Sequence, residues 1–212
     1  MENILDDIEA LDEKELLRTI WTKPTQTLDF ILRRCPRKYV NALIHLSALS
    51  LIISSSLGVL ITSSQLSAVF VLITTPVVWI IVWLIAYIFA FLLSWTGRSI
   101  GGHGDIDQFL TVIAWSYLPT ICMLLPTVIE VAVLATGVDY VEIGTKHLAT
   151  TIFYFTIQIV KVGLSAWSLV IVVSGTMVLQ KFKAGKAVLN LILAALVVLI
   201  PIFIYEGLKY LM

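Results

Sequence analysis

A serine, a histidine and an aspartate lie close together in a glycine-rich stretch and could in principle support hydrolysis. The stretch from Gly97 to Gly101 matches the G-x-S-x-G pattern of serine hydrolases, and His103 and Asp105 follow closely. In those enzymes the serine sits on a strand-to-helix turn that exposes its hydroxyl oxygen. Here the pattern follows a long apolar segment, and His103 is too near in sequence to reach Ser99 without a folded scaffold. We therefore expect no catalytic site and no enzyme.

Metal, cofactor and nucleic-acid sites are also not expected. The three histidines, His45, His103 and His147, fall in an apolar segment and in two different connections. Metal ligands must converge to within ~2 Å of one ion, and histidines in such separate parts of the chain are not expected to do so. Neither a phosphate-binding loop nor a dinucleotide fingerprint is present. The formal net charge is zero, whereas a nucleic-acid binder needs a basic face.

Ionisable side chains inside apolar segments are the more informative candidates, because each costs several kcal/mol in a membrane unless it is paired or hydrated. Lys161 should lie ~18 Å from the outer end of its segment and Glu130 ~9 Å, at 1.5 Å per residue. A lysine side chain can reach outward, so an ion pair between the two is feasible. Glu206 has a similar shallow depth. Two interpretations stay open: a structural pair that locks two helices, or a polar cavity formed by Lys161, Glu130 and Glu206.

The composition indicates that these residues are positioned by membrane helices. The chain has 59% hydrophobic and 13% charged residues, against roughly 25% charged in soluble domains. A helix needs ~20 apolar residues to cross a bilayer. We predict an all-α membrane protein: a bundle of five transmembrane helices preceded by cytosolic amphipathic helices. The expected domains are an arm at residues 1–40 and a membrane domain at 41–212, with spans at about 41–62, 69–95, 109–136, 150–179 and 188–207.

The distribution of lysine and arginine predicts the orientation. Eleven cations fall in the arm and in the second and fourth connections, against two in the third connection and at the C-terminal end. Positive loops stay in the cytosol. The arm should therefore be cytosolic and the C-terminus outside, in the inner membrane if the protein is prokaryotic.

The arm is expected to hold two short helices, the first starting near Glu13 and ending before Pro24, the second capped by Thr25 and ended by Pro36. An apolar stripe next to basic residues suits a helix in the headgroup region, although an ordinary linker is equally compatible. The lipid-interface candidates are Leu28, Ile31, Leu32, Arg33, Arg34 and Arg37.

Two further patterns bear on helix packing. Aromatic residues recur every four positions through the second span; they are Trp79, Trp83, Tyr87, Phe91 and Trp95. The spacing predicts a ridge that packs against other helices, with Trp95 at the membrane interface, and a cofactor or lipid groove is the alternative. Ser54, Ser55, Ser56 and Gly58 give the first span a small-residue face, which permits close approach within the bundle or between protomers. A homo-oligomer therefore stays open.

Several stretches together resemble the Ypt-interacting-protein (Yip) domain family, in particular its prokaryotic branch. In the arm the resemblance lies in Ile20–Leu28, with Pro24 and Thr25 before an amphipathic helix. After the second span, Gly101-Gly102-His103-Gly104 leads into a span that contains Ala114-Trp115-Ser116-Tyr117-Leu118-Pro119. Trp167 and Lys183–Ala187 also fit.

The resemblance implies five spans and a cytosolic N-terminus. Eukaryotic members bind Rab-type GTPases, but their acidic-Leu-Tyr-Gly-Pro motif is replaced here by Cys35-Pro36-Arg37-Lys38-Tyr39, which counts against a GTPase partner. The expected function is a non-enzymatic scaffold or adaptor that organises membrane proteins or lipids. The alternative is a small permease or lipid-handling transporter that uses the cavity around Lys161, Glu130 and Glu206.

Overall fold

A computed structural model describes residues 15–62, 66–134 and 148–209, and within these ranges the chain is helical without strands. We number the helices α1 to α8 in chain order. Their bounds are α1 Leu16–Thr19, α2 Pro24–Arg34, α3 Val40–Thr62, α4 Leu66–Ser99, α5 Ile106–Cys122, α6 Leu124–Leu134, α7 Leu148–Gln180 and α8 Ala184–Lys209.

Four segments of the described chain are long and apolar enough to cross a membrane. They are Ile73–Ser99, Ile106–Val133, Thr150–Gln180 and Ala184–Glu206. A shorter apolar helix covers Val40–Ser56 and forms most of α3. The five predicted spans thus correspond to four membrane-length segments and one shorter apolar helix. The predicted end of the third span, at Thr136, lies outside the described residues.

Prolines affect the membrane helices unequally. Pro76 and Pro201 lie inside the continuous helices α4 and α8, but the third predicted span is divided at Met123 into α5 and α6. Pro126 has no N–H to donate to the carbonyl of Cys122, and its ring crowds that carbonyl. At the division the Met123 N–H is shared between Pro119 O, at 3.1 Å, and Thr120 O, at 3.2 Å.

The arm forms α1 and α2, which contact each other. The predicted cap at Thr25 is wrong: the cap position is occupied by Lys23, two residues earlier, and Pro24 is the first residue of α2. Proline favours this position because its missing N–H would have no helical partner there. The helix ends at Arg34, two residues before Pro36. The predicted start of the first helix, at Glu13, falls outside the described residues.

The chain divides into two compact units, and the divisions fall within long helices. Unit 1 comprises Ile85–Trp115 with the described parts of Met1–Val40 and Val170–Met212. Unit 2 comprises the described parts of Asn41–Leu84 and Ser116–Leu169. The largest fully buried side chains belong mostly to unit 1 and include Trp115, Phe109, Leu16, Ile20 and Leu28. The charged intramembrane candidates Lys161 and Glu130 belong to unit 2.

Candidate functional site

Lys161 and Glu130 meet in unit 2 and form the centre of a small charged cluster. The Nζ atom of Lys161 on α7 forms an ion pair with the Glu130 carboxylate on α6. The Lys161 side chain is 23% exposed and that of Glu130 is 10% exposed. Because both groups are withdrawn from solvent, each needs the other to offset its desolvation.

A third side chain completes this cluster. Gln158 Nε2 donates a hydrogen bond to Glu130 Oε1 at 3.1 Å. Gln158 and Lys161 are three residues apart on α7, so they share one face of the helix. The carboxylate therefore accepts from an amide through one oxygen and from an ammonium group through the other. We call Glu130, Gln158 and Lys161 the charge cluster.

The third candidate, Glu206, has an exposed side chain near the end of α8 and belongs to unit 1. The contacts of the charge cluster are made without it. A cavity formed jointly by Lys161, Glu130 and Glu206 therefore stays a hypothesis.

The lipid-interface candidates of the arm fall into two groups. Leu28 and Ile31 have no exposed surface, and Leu32 is half-buried. The expectation that Leu28 and Ile31 face lipid is at odds with this burial, because their apolar faces are covered by the protein itself. Arg33, Arg34 and Arg37 are exposed.

Two of these arginines already have acidic partners. Arg33 pairs with Asp29 one turn earlier in α2, at 2.8 Å. Arg37 pairs with Asp107 at the start of α5, also at 2.8 Å. Arg34 forms no ion pair with another described residue.

The end of the arm is held on α5 by contacts within unit 1. In addition to the Arg37–Asp107 pair, the hydroxyl of Thr111 donates to the carbonyl oxygen of Pro36. The rings of Tyr39 and Trp115 contact edge-to-face with centroids 6.1 Å apart. Tyr39 has a φ of +61°, a region that non-glycine residues rarely adopt. The segment Pro36–Tyr39 is therefore docked on the protein.

The aromatic ridge of α4 packs over only part of its length. In unit 2, Trp79 Nε1 and Trp83 Nε1 both donate to Nδ1 of His45 on α3, at 3.1 and 3.4 Å. Tyr87 and Phe91 are about half exposed, so the predicted packing does not extend along the whole ridge. Trp95, which was predicted at the membrane interface, is also about half exposed.

A second polar cluster, formed by uncharged side chains, lies in unit 1. Gln180, at the end of α7, accepts a hydrogen bond from the Gly104 N–H through Oε1 at 3.0 Å. Asn190 on α8 donates to the carbonyl of Leu93 at 3.1 Å and accepts from the Thr96 hydroxyl at 2.6 Å. Both amide side chains are almost fully buried. We call Gln180, Asn190 and Thr96 the amide cluster.

Two glycines allow the Gln180 amide to lie directly against the backbone. A Cβ atom on Gly97 would come within 2.0 Å of Gln180 Nε2. One on Gly102 would come within 1.8 Å of Gln180 Oε1. Real Cβ atoms do not approach other heavy atoms so closely, so any larger residue would displace the Gln180 side chain.

A scan against protein families gives one match over most of the chain, the Yip1 domain, at residues 18–205. The chain belongs to the Yip1 domain family. Its long apolar helices agree with an integral membrane protein of this family. Neither curated proteins nor solved structures gave a match.

The glycine-rich turn that carried the Yip resemblance now has a structural explanation. Gly101 follows α4 with a φ of +88°, and the Gly102 N–H bonds to the carbonyl of Gly97 at 2.8 Å. The Gly101 N–H bonds to the carbonyl of Arg98 at 3.1 Å. These two bonds and the left-handed glycine form a Schellman helix cap. The G-x-S-x-G pattern in this Yip1 domain is thus a helix end, and Ser99 donates to the carbonyl of Trp95 within the same helix.

The search for ionisable residues in the sequence does not identify the amide cluster, because Gln180 and Asn190 carry no charge. The sequence does contain a signal for it: an asparagine within an apolar segment needs hydrogen-bond partners as much as a charge does. Glycines at 97, 102 and 104 indicated a close backbone approach. Metal binding has no structural support within the described residues, which contain no group of three histidine, cysteine or acidic side chains.

Proposed function

We propose that this Yip1 domain protein is a non-enzymatic membrane scaffold or adaptor, which organises membrane proteins or lipids. The observation that carries the proposal is the charge cluster. Glu130 is satisfied by Lys161 and Gln158 of the same chain. Charges that neutralise each other between two helices hold those helices together. They have little remaining capacity to pair with the charge of a transported ligand.

The outer surfaces of the helices suit partners or lipids. Ile192, Ile200, Ile202 and Phe203 on α8 are exposed by half or more. In a membrane such surface faces lipid or the helix of another protein. The same holds for Ile159 and Val162 on α7, which are exposed by about two thirds. A homo-oligomer would use surfaces of this kind.

The experiment is a double-mutant cycle on Lys161 and Glu130, scored by thermal stability in detergent. Lys161→Met or Glu130→Gln alone should cost ~3–5 kcal/mol, because each leaves a charge or carboxyl group without its partner. The double variant should recover much of this loss. Lys183→Met, which removes an exposed lysine, serves as the control and should leave stability unchanged. A coupling energy below ~0.5 kcal/mol would refute the structural pair.

A second function, a small permease or lipid-handling transporter, is favoured by one observation. The Lys161 side chain keeps 23% of its surface exposed, so a ligand or water could reach it. On this alternative the double variant would fold normally but lose transport, since the charges would serve a ligand. Solute flux into vesicles that contain the wild type and the double variant distinguishes the two functions.

For the membrane arrangement we propose five spans, with α3 as the first and the N-terminal arm in the cytosol. The membrane would be the cytoplasmic membrane if the protein belongs to the prokaryotic branch. The excess of lysine and arginine in the arm and in the second and fourth connections supports this orientation.

Cysteine labelling tests the orientation best at His103, which is exposed. Gly102 is less suitable, because a side chain there would displace Gln180. Labelling of His103→Cys in intact cells by an impermeant reagent would refute the orientation. Ser64 and Gly144, the positions at which labelling from outside is expected, lie outside the described residues.

The arm would contact lipid through its arginines and not through Leu28 or Ile31. Arg34 is the sharpest case because it is exposed and forms no ion pair with a described residue. In vesicles with a photoreactive anionic lipid, Arg34→Gln should lower cross-linking to the arm. Arg18→Gln, which alters an exposed arginine of α1, should lower it less.

A further inference from the structure

An open groove lies in unit 1 between the end of α4 and the middle of α8. Its volume is about 420 Å³. The α4 wall includes Trp95, Thr96 and Ser99, and the α8 wall runs from Leu193 to Pro201. From Leu193 to Pro201 the helix rises by ~12 Å at 1.5 Å per residue. The groove is therefore elongated along a helix that belongs to a membrane span.

The polar groups in the groove wall are already occupied. The Thr96 hydroxyl donates to Asn190 Oδ1 at 2.6 Å, and the Ser99 hydroxyl donates to the carbonyl of Trp95 at 3.2 Å. The remaining lining residues are apolar. A ligand in this groove must therefore present mainly a hydrocarbon surface, because both hydroxyl groups of the wall already donate and the indole N–H of Trp95 is the one other side-chain donor among the lining residues.

A cation lies at the Ser99 end of the groove. Lys186 precedes Leu193 by seven residues, two turns of the same helix, so both lie on one face of α8. Its Nζ lies over the ring of Phe182 at 4.5 Å and close to Gly101, two residues beyond Ser99. Among the described residues, Lys186 forms no ion pair. Lys186 is not a lining residue, but it lies beyond one end of the groove. An apolar groove with a cation beyond one end, unpaired among the described residues, matches a molecule with a hydrocarbon chain and a negative head.

We propose that this groove binds one anionic phospholipid of the surrounding leaflet. One acyl chain lies along Leu193, Val197 and Ile200, and the phosphate of the head group contacts Lys186. A neutral lipid would fill the hydrocarbon part equally well, so the charge on Lys186 sets the preference between lipid classes.

Two isoleucines of α8 give a matched pair of variants. Ile200 lines the groove and is 50% exposed, whereas Ile202 is 51% exposed but does not line it. Two residues turn a helix by about 200°, so the two side chains point in nearly opposite directions. Ile200→Trp should fill the groove, and Ile202→Trp should add the same bulk elsewhere. Neither residue is buried, so both variants should fold.

The measurement is native mass spectrometry of the full chain, purified in detergent and incubated with phosphatidylglycerol or phosphatidylcholine. The wild type and Ile202→Trp should retain one phosphatidylglycerol, and Ile200→Trp should retain at least tenfold less. Lys186→Gln should reduce the preference for phosphatidylglycerol about fivefold, the usual effect of one cation at an anionic surface. Lys183→Gln, which removes an exposed lysine three residues before Lys186, should preserve the preference.

Three results would overturn the proposal. Equal lipid retention by Ile200→Trp and Ile202→Trp would place the lipid elsewhere. Equal retention of the two lipids by the wild type would remove the role of Lys186. A loss of dimers in Ile200→Trp, with lipid retention unchanged, would show that a second copy of the chain occupies the groove.

Discussion

The two polar clusters of this protein stabilise helix contacts in different ways. In unit 2 the charge cluster joins α6 and α7 through an ammonium group, a carboxylate and one amide. In unit 1 the amide cluster joins α4, α7 and α8 through neutral side chains, and several of its partners are backbone groups. Both clusters are largely withdrawn from solvent.

The difference lies in how closely the backbones must approach. Lysine and glutamate carry their charges on long side chains, so they can pair across a wide helix spacing. An amide that bonds to a backbone group needs that backbone beside it, and Gly97 and Gly102 provide the room. The charge cluster should therefore tolerate changes in helix spacing, whereas the amide cluster should not.

After the loss expected for Lys161→Met or Glu130→Gln, the largest effect is expected when the space beside Gly97 in the amide cluster is filled. In Gly97→Ala the new methyl group would lie 2.0 Å from Gln180 Nε2, so the buried amide must move. Overpacking and the loss of a buried hydrogen bond together should cost about 2–4 kcal/mol. Thermal unfolding in detergent measures this loss.

Gly163→Ala is the matched control, because Gly163 also lies within a long helix but has open space where its Cβ would be. Gly163→Ala should not lower the free energy of unfolding and can raise it by up to ~1 kcal/mol, since alanine has a higher helix propensity than glycine. Equal losses at the two positions would show that glycine matters here for membrane insertion and not for packing on Gln180.

The sequence was most informative where it contains long apolar runs or ionisable residues within them. Apolar runs located the membrane helices to within a few residues, because a bilayer imposes a minimum length on each span. The contact between Lys161 and Glu130 could be anticipated, since two buried charges on neighbouring helices are costly apart. The division of the third span could not, because Pro119, Pro126 and Pro201 look alike in sequence, yet of their helices only the one before Pro126 is interrupted.

The arm shows the limit of pattern analysis more clearly. Leu28 and Ile31 form an apolar stripe that fits a lipid surface or a protein surface equally well. Which of the two covers them depends on how the chain packs, and a single sequence does not reveal that packing. Arg37 is similar: its acidic partner, Asp107, lies seventy residues away.

A smaller effect should follow when the amide of the charge cluster is removed. In Gln158→Leu the Glu130 carboxylate loses one donor but keeps its ion pair with Lys161. A hydrogen bond to a charged group contributes about 1.5–3 kcal/mol, so with the ion pair retained we expect a loss near the lower value. Thr156→Val, two residues away on the same helix, removes only an exposed hydroxyl that bonds to Ile152 O and should be nearly neutral. A loss as large as that of Glu130→Gln would mean that Gln158 and the ion pair form one inseparable unit.

The smallest effect concerns the helix end that presents Gln180 to the amide cluster. Lys181 follows it with a φ of +54°, and the Phe182 N–H bonds to the carbonyl of Met177 at 3.1 Å, as in a Schellman cap. A glycine is usual at this position because a Cβ atom disfavours left-handed backbone. Lys181→Gly should therefore stabilise the protein by about 0.5–1 kcal/mol, the left-handed penalty less the extra chain entropy of glycine. Lys181→Ala removes the same charge but keeps the Cβ atom, so it should give no such gain. If both variants raise the melting temperature equally, the gain comes from the lost charge, and the helix end imposes no strain on Gln180.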